Sequence, residues 1–294
     1  TATPARLDVQ RTAARAGQIR DGLLARERFA PADMLDIQYD DRAVFLGRWR
    51  ELLLDVLDEE TIGDDASLAE YRRLVDEWIP RASPDSVGYR LVRGFRLDVK
   101  AKVFAGLIAP AADAYDDPVD FLESNQVEAP LWQLVTEQPM HLLPANFDSW
   151  DDLLRSAVVE NLRWLQARYD SPLAERAWGE YNTARIRHPL SGALGPLSGW
   201  LDMPADRLSG DSNLPKAQGP AFGASERFSV SPGDEENGLM HMPTGQSGHP
   251  LSDFYRAGHD NWVRGEPSPF LPGDAAFTLK LEPAGGTLSA DGQQ

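Results

Sequence analysis

Apolar residues recur at three- and four-residue steps through the first part of this chain and lose that spacing after Trp178, where glycine and proline become dense. No other feature limits the fold as much, because a 3.6-residue period commits a segment to burying one stripe of a helix. Met34, Ile37, Val44, Phe45, Trp49, Leu52, Leu53 and Val56 predict one long helix from Pro31 to about Asp58, with proline at the first position, where its missing N–H is harmless. Leu68 to Ile79 predicts a second helix ending at Pro80, and Leu91, Val92, Phe95, Val99, Val103 and Leu107 a third from Asp85 to Ala109. Ser149 or Asp148 caps a fourth, carrying Trp150, Leu153, Leu154, Val158, Leu162 and Leu165 to about Tyr169. Asp8 to Arg28 is a polar helix with Ile19 and Leu23 on one face, and Phe121, Leu122, Leu131, Trp132, Leu134 and Val135 form helical pieces interrupted by prolines. Residues 1–185 therefore read as a mainly helical region and 186–294 as loops and short strands, an α+β class in which no linker separates the halves.

The second region has its own pattern. Ser225, Arg227 and Ser229 alternate with Glu226, Phe228 and Val230, a strand with one polar and one apolar face, which Ser231-Pro-Gly-Asp234 breaks. Gly238-Leu-Met-His-Met242 is extended and suited to pair with it as an antiparallel hairpin. Gly245-Gln246-Ser247-Gly248 reads as a tight turn in which Gly248 supplies unusual backbone angles and Ser247 bonds nearby amides. Ser252 then caps a short helix carrying Tyr255 and Trp262. Near the end, Phe277, Leu279 and Leu281 alternate with Thr278 and Lys280, as in a half-buried strand.

Several chemistries are excluded or weakened. The chain has no cysteine, which removes disulfides, thiolate nucleophiles and Cys-based zinc sites. Its net charge of −17, from 46 acidic against 29 basic residues, opposes a nucleic-acid partner, and no apolar run reaches the roughly 20 residues needed to span a bilayer. The basic stripe Arg90, Arg93, Arg96, Lys100 and Lys102 reads as a solvated face paired with acidic helices. Asp40 and Asp41 are adjacent, point about 100° apart on a helix, and so suit packing better than acid–base work. His241, His249 and His259 lack metal-ligand spacing, Ser247 lacks the second glycine of a nucleophile elbow, and Thr1 precedes a polar helix. Arg227 is read as a buried structural arginine paired with Asp211 or Asp234, with a carboxylate site as the other use of its planar fork.

The order Gly223-x-Ser225-x-Arg227, an acidic Gly-Asp turn, Gly245-Gln246-Ser247-Gly248, Pro250, Ser252, Tyr255 and Trp262 resembles the C-terminal signature of the penicillin acylase family. These are N-terminal-nucleophile amidohydrolases that include acyl-homoserine-lactone acylases. The resemblance extends through Ala14-Arg15-Ala16 and Ile19, the Trp132 to Trp150 segment, Trp178-Gly179, Asn182, His188-Pro189-Leu190 and Gly210-Asp211. It implies the later part of the large subunit, whose strands belong to an αββα sandwich incomplete in this chain. It also implies hydrolysis of the amide bond of an N-acylated small molecule, of β-lactam or acyl-homoserine-lactone type, by a serine and an oxyanion asparagine lying upstream. Arg15 would take a supporting place near that asparagine. The partners implied are the small subunit and the start of the large subunit of the same precursor, with no cofactor in this segment and calcium in the full-length protein. Residence would be periplasmic or extracellular, and this segment alone would be inactive. The alternative from a different class is a non-catalytic extracytoplasmic binding or scaffold protein, with the eight tryptophans lining a ligand groove.

Overall fold

The computed structural model describes residues 14–112, 127–221, 223, 226–275 and 277–282. The expectations for Thr1, for Phe121 and Leu122, for Ser225 and for the stop at Pro283 lie outside those residues.

Helices Ala14–Leu24, Pro31–Gln38, Gly47–Val56, Ala66–Asp76, Val87–Ala112, Glu128–Glu137 and Trp150–Arg168 make up the first part. Local chemistry sets their ends. The Asp65 carboxylate accepts from Ser67 N at 2.8 Å and Leu68 N at 3.2 Å, and the Ser149 hydroxyl accepts from Asp152 N at 3.0 Å, so each satisfies donors that an opening turn leaves free. The long helix Val87–Ala112 is the spine. Its Leu91, Val92, Phe95, Val99 and Val103 are fully buried against Trp49, Leu53, Tyr71, Leu153, Ala157 and Leu162 of the surrounding helices. Gly94 is required there: a Cβ would sit 2.3 Å from Asn161 Nδ2, so the glycine lets the Trp150–Arg168 helix approach.

Two helical expectations change. The helix expected over 31–58 is interrupted after Gln38, because backbone groups of the polar stretch pair elsewhere. Ala43 N donates to Pro80 O at 2.8 Å and Ala82 N to Asp41 O at 2.9 Å, while the Asp40 carboxylate holds Arg42 through its backbone N at 3.1 Å and Nε at 2.8 Å. The basic stripe is paired as expected but is not a solvated face. Arg90 binds Glu180, Arg93 binds Asp211 and Arg96 binds Glu128, with Arg90 and Arg96 buried.

In the second part, β1 (Arg227–Ser229) pairs antiparallel with β2 (Leu239–His241), with Arg227 opposite His241 and Ser229 opposite Leu239. The expected break is a turn closed by Asp234 N to Ser231 O at 3.0 Å, with Gly233 at φ +83°. Among the described residues the sheet has these two strands, so the architecture is mixed α and β with helix predominant.

The strand faces are the reverse of a simple apolar-in reading: Arg227 is buried and Phe228 is 55% exposed. Phe277, Leu279 and Leu281 are not half-buried but 96%, 83% and 85% exposed, without strand pairing. Residues 268–270 already take the outer edge of β2, through Met240 N to Ser268 O at 3.0 Å and Phe270 N to Gly238 O at 2.9 Å. Ser252 caps a turn, accepting from Phe254 N at 3.2 Å, rather than a helix. The helix His259–Arg264 starts separately at Gly258, whose φ of +83° suits glycine.

Hydrogen bonds cross the position near residue 185. Gly210 N donates to Ala82 O at 2.9 Å, Lys216 N to Asp40 O at 3.1 Å and Gln38 Nε2 to Phe228 O at 3.1 Å.

Candidate functional site

The residues singled out in the sequence fall in three places, and one of them is a seam between the helices and the hairpin. Opposite His241 in the ladder, Arg227 turns its side chain inward, 2% exposed, between two rings. Its guanidinium carbon lies 4.8 Å from the Tyr39 ring centroid and 5.3 Å from that of Trp262, a stacking geometry suited to a planar cation. Nη2 donates to Gln218 Oε1 at 2.9 Å, and Nη1 to the Tyr39 hydroxyl at 3.3 Å. The expected pairing with Asp211 or Asp234 is not formed. Asp211 accepts from Tyr89 Oη at 2.7 Å and from Arg93 Nε, and Asp234 accepts from Asn237 Nδ2 at 2.7 Å.

Tyr39 joins the halves. It follows the Pro31–Gln38 helix, donates its hydroxyl to Trp262 O at 2.7 Å and lies 3.2 Å from His241 Nδ1. His241 Nε2 faces Glu266 O at 2.6 Å; a carbonyl only accepts, so Nε2 carries a proton. Burial lowers the His241 pKa, opposed by the Glu266 carbonyl and aided by the charges of Arg227 and Lys216. Burial also raises Tyr39, which Arg227 partly offsets. The Lys216 ammonium lies 4.4 Å from the same Tyr39 ring centroid. Burial, and next the Arg227 charge, bring Lys216 down to about 8.

Asn182 holds the loops around this seam. Its Nδ2 donates to the carbonyls of Leu208 at 3.0 Å, Gly210 at 3.2 Å and Gln218 at 3.3 Å, and Trp178 Nε1 donates to Gly210 O at 3.0 Å. Gly210 itself sits at φ +83° with a Cβ position 2.2 Å from Lys216 O, so a side chain there would displace the strap bearing Lys216 and Gln218. Asp211, beside it, is held below the ordinary carboxylate range: burial raises it, but Arg93, Tyr89 and Ser212 more than compensate.

The Gly245–Gly248 turn lies apart from the seam. Gly245 N donates to Tyr255 O at 3.0 Å and Ser247 N to Phe254 O at 3.4 Å. Ser247 Oγ accepts from His249 N at 3.1 Å, the turn role expected of it. Gln246 is exposed, and Gly248 does not take positive φ, so the demanding glycine is Gly245. Tyr255 is buried, and its hydroxyl donates to Leu201 O. Next to it Arg256 Nη2 donates to Gly199 O at 2.8 Å and Asp202 O at 2.7 Å. Trp262 is the member of the C-terminal text that reaches Arg227.

Arg15 lies elsewhere on the surface and donates to the Ser212 carbonyl. One turn later, Gln18 Nε2 reaches Asp40 Oδ2 at 2.7 Å and Arg42 O at 2.9 Å, docking the first helix on the interrupted segment. Tyr39, Lys216, Gln218 and His241 were not legible as a group in the sequence. The signal available was the polar interruption Gln38–Arg42 inside an otherwise apolar period.

A cavity of about 380 Å³ between the Val87–Ala112 and Trp150–Arg168 helices is lined by Arg93, Asp98, Asn161, Trp164, Trp178 and Tyr181, among others. Burial raises the Asp98 pKa there, against the Asn161 hydrogen bond and the Lys102 charge. Among the described residues, no group of three or more His, Asp or Glu is placed to hold a metal ion, and no helix is long and apolar enough to cross a membrane.

A helical body bound through buried polar contacts to a hairpin and glycine-rich straps is the class that these elements define. The sequence matches the penicillin amidase family over residues 3–278, and the chain belongs to that family. It is similar to the penicillin acylase 2 proenzyme of Pseudomonas sp. (strain SE83), with 26% identity over 261 residues. That match covers 84% of this chain and 32% of the relative, so the chain spans about a third of the length of the curated protein it matches.

Proposed function

We propose that this chain is part of an acylase that hydrolyses the amide bond of an N-acylated small molecule, of β-lactam or acyl-homoserine-lactone type. The observation that carries the reading is the family match across residues 3–278. The resemblance to a relative named as a penicillin acylase proenzyme supports it. In this reading the attacking serine, its amine base and the oxyanion asparagine come from outside the segment, as in other N-terminal-nucleophile hydrolases. The two-stranded hairpin belongs to a larger αββα sandwich, and Arg15 takes a supporting place beside the oxyanion site. The assembled protein resides in the periplasm or outside the cell, with calcium bound beyond this segment.

The role of the present residues is then to hold and shape. Asn182, Trp178 and Gly210 fix the straps against the helical body, and Tyr39, Arg227 and Trp262 lock the hairpin to it. The test is to purify the protein from its full-length gene, identify the N-terminal residue of each polypeptide, and assay chromogenic arylacetyl-amides and N-acyl-homoserine lactones. Amide cleavage together with a new N-terminal serine is expected. An unprocessed protein inert to both classes would overturn the reading, and hydrolysis by the purified 294-residue chain alone would overturn the placement of the nucleophile.

A further inference from the structure

Lys216, Gln218 and Arg227 bring donors to one buried place without an acid to receive them. Arg227 is 2% exposed, Lys216 6% and Gln218 0%. Both cations lie on the Tyr39 ring, at 4.4 Å for the Lys216 ammonium and 4.8 Å for the Arg227 guanidinium carbon. Among the described residues neither forms an ion pair. The acceptors that Arg227 finds are neutral: Gln218 Oε1, the Tyr39 hydroxyl and the Trp262 carbonyl. The acid nearest in effect to Lys216 is Asp41, and its carboxylate is taken by Arg81.

Gln218 is the independent observation. Its oxygen is committed to Arg227, which fixes the other end of the amide as NH2. That nitrogen is buried and has no partner. Buried charges are ordinarily paired and buried donors ordinarily satisfied, so two cations and an orphan donor together describe a receptor without its anion.

We propose that Lys216, Gln218 and Arg227 form a receptor for a carboxylate. The two oxygens of a carboxylate equal in number the Lys216 ammonium and the unpartnered Gln218 NH2, with the Arg227 charge on the same Tyr39 ring; a phosphate would bring further oxygens, for which this cluster offers no further unpartnered donor among the described residues. The carboxylate comes either from a small soluble acid or from an acidic side chain or terminus of the polypeptide assembled around this segment. The inference does not depend on amide hydrolysis, and none of its readouts is activity.

The experiment uses the protein purified from its full-length gene. Thermal unfolding is followed with acetate, phenylacetate, phosphate or chloride at constant ionic strength, for the native protein, Lys216→Met and Gln218→Glu. The Lys216 pKa is read by NMR after 13C-methylation. If soluble acids are the source, acetate and phenylacetate raise Tm where phosphate and chloride do not. The shift then disappears in both variants, and Gln218→Glu, carrying its own carboxylate, unfolds at higher temperature than the native protein. That stabilisation weakens as pH rises through about 8 and Lys216 loses its charge, with Tyr39, His241, Arg227 and Asp41 as the other titratable or charged groups around it.

If the polypeptide is the source, no anion shifts Tm, Lys216 titrates above 10, near or beyond an ordinary lysine, and both variants unfold at lower temperature. The proposal is overturned if no carboxylate shifts Tm while Lys216 still titrates near 8 and Lys216→Met is neutral or stabilising, since removing a lone buried cation relieves the structure.

Discussion

Replacing Glu128 by Gln should unfold this protein more readily than any exposed charge substitution, and the size of the effect follows from what surrounds the carboxylate. Glu128 opens the Glu128–Glu137 helix and is 7% exposed. One oxygen accepts from Arg48 Nη2 at 2.7 Å and Trp49 Nε1 at 2.7 Å, the other from Arg96 Nε at 2.8 Å and Nη2 at 2.5 Å. The carboxylate thus ties the Gly47–Val56 helix, the long spine and the helix that follows the spine into one contact. Glutamine keeps the shape but places an NH2 against a guanidinium and leaves Arg96, 8% exposed, without its counter-charge. Breaking a buried pair from one side costs about 3–5 kcal/mol; Arg48, at 24% exposed, contributes less because water reaches it. With a urea slope of about 2–3 kcal/mol/M, the midpoint falls by between about 1 and 2.5 M. Burial raises the Glu128 carboxyl, but Arg96 and the hydrogen bonds from Arg96, Trp49 and Arg48 bring it below the usual range. A depressed carboxyl gives stability that is present above its unfolded pKa, about 4.3, and is lost as pH falls through the folded value. The gap between native protein and variant should therefore be constant from pH 7 to about 5 and narrow below about 4. A gap under about 1 kcal/mol at pH 7, or one unchanged at pH 3, would refute the assignment of Glu128 as a charged keystone.

Asn182→Asp should be more damaging than its size suggests, because it sets a carboxylate against the carbonyls of Leu208, Gly210 and Gln218. A loss of more than about 3 kcal/mol in urea unfolding at pH 7 is expected, shrinking at acid pH as the new carboxyl gains a proton to donate; a pH-independent loss would contradict this. Gly245→Ala places a Cβ 1.7 Å from Phe254 O, so the turn must open at a cost of about 1–3 kcal/mol. Hydrogen exchange at the backbone N–H of residue 245, which bonds Tyr255 O, should quicken, and unchanged protection would show that the turn is not closed as described.

The parts of this fold that could be read in advance are those set by neighbours in sequence. Ser149 caps the helix that follows it, and the steps from Leu91 to Val103 describe one buried stripe. The break after Gln38 was not readable in the same way, since it depends on residues 41–43 exchanging backbone hydrogen bonds with 80–82. Hydrophobic period reports which side chains share a face, and Gln38 to Arg42 showed only that the stripe lapsed. The turn at Ser247 was legible from its flanking glycines, but the choice of Gly245 over Gly248 as the constrained one depends on Phe254 lying across it.

The seam shows the same limit at the level of the site. Alternation in Arg227-Phe228-Ser229 establishes two faces, and hydropathy then favours placing Phe228 inside. The structure turns Arg227 inward because Tyr39 and Trp262 offer it two rings and two oxygens, and Gln218 a third acceptor. Those groups lie 188, 35 and 9 residues away along the chain, so no local pattern announces them. Tyr39 stands at the start of the polar lapse, as the residue that ends the Pro31–Gln38 helix, its N still donating to Leu35 O at 2.9 Å. Beyond it, residues 41–43 leave the helix to bond residues 80–82, so the Tyr39 ring closes the helix where the hairpin packs against it.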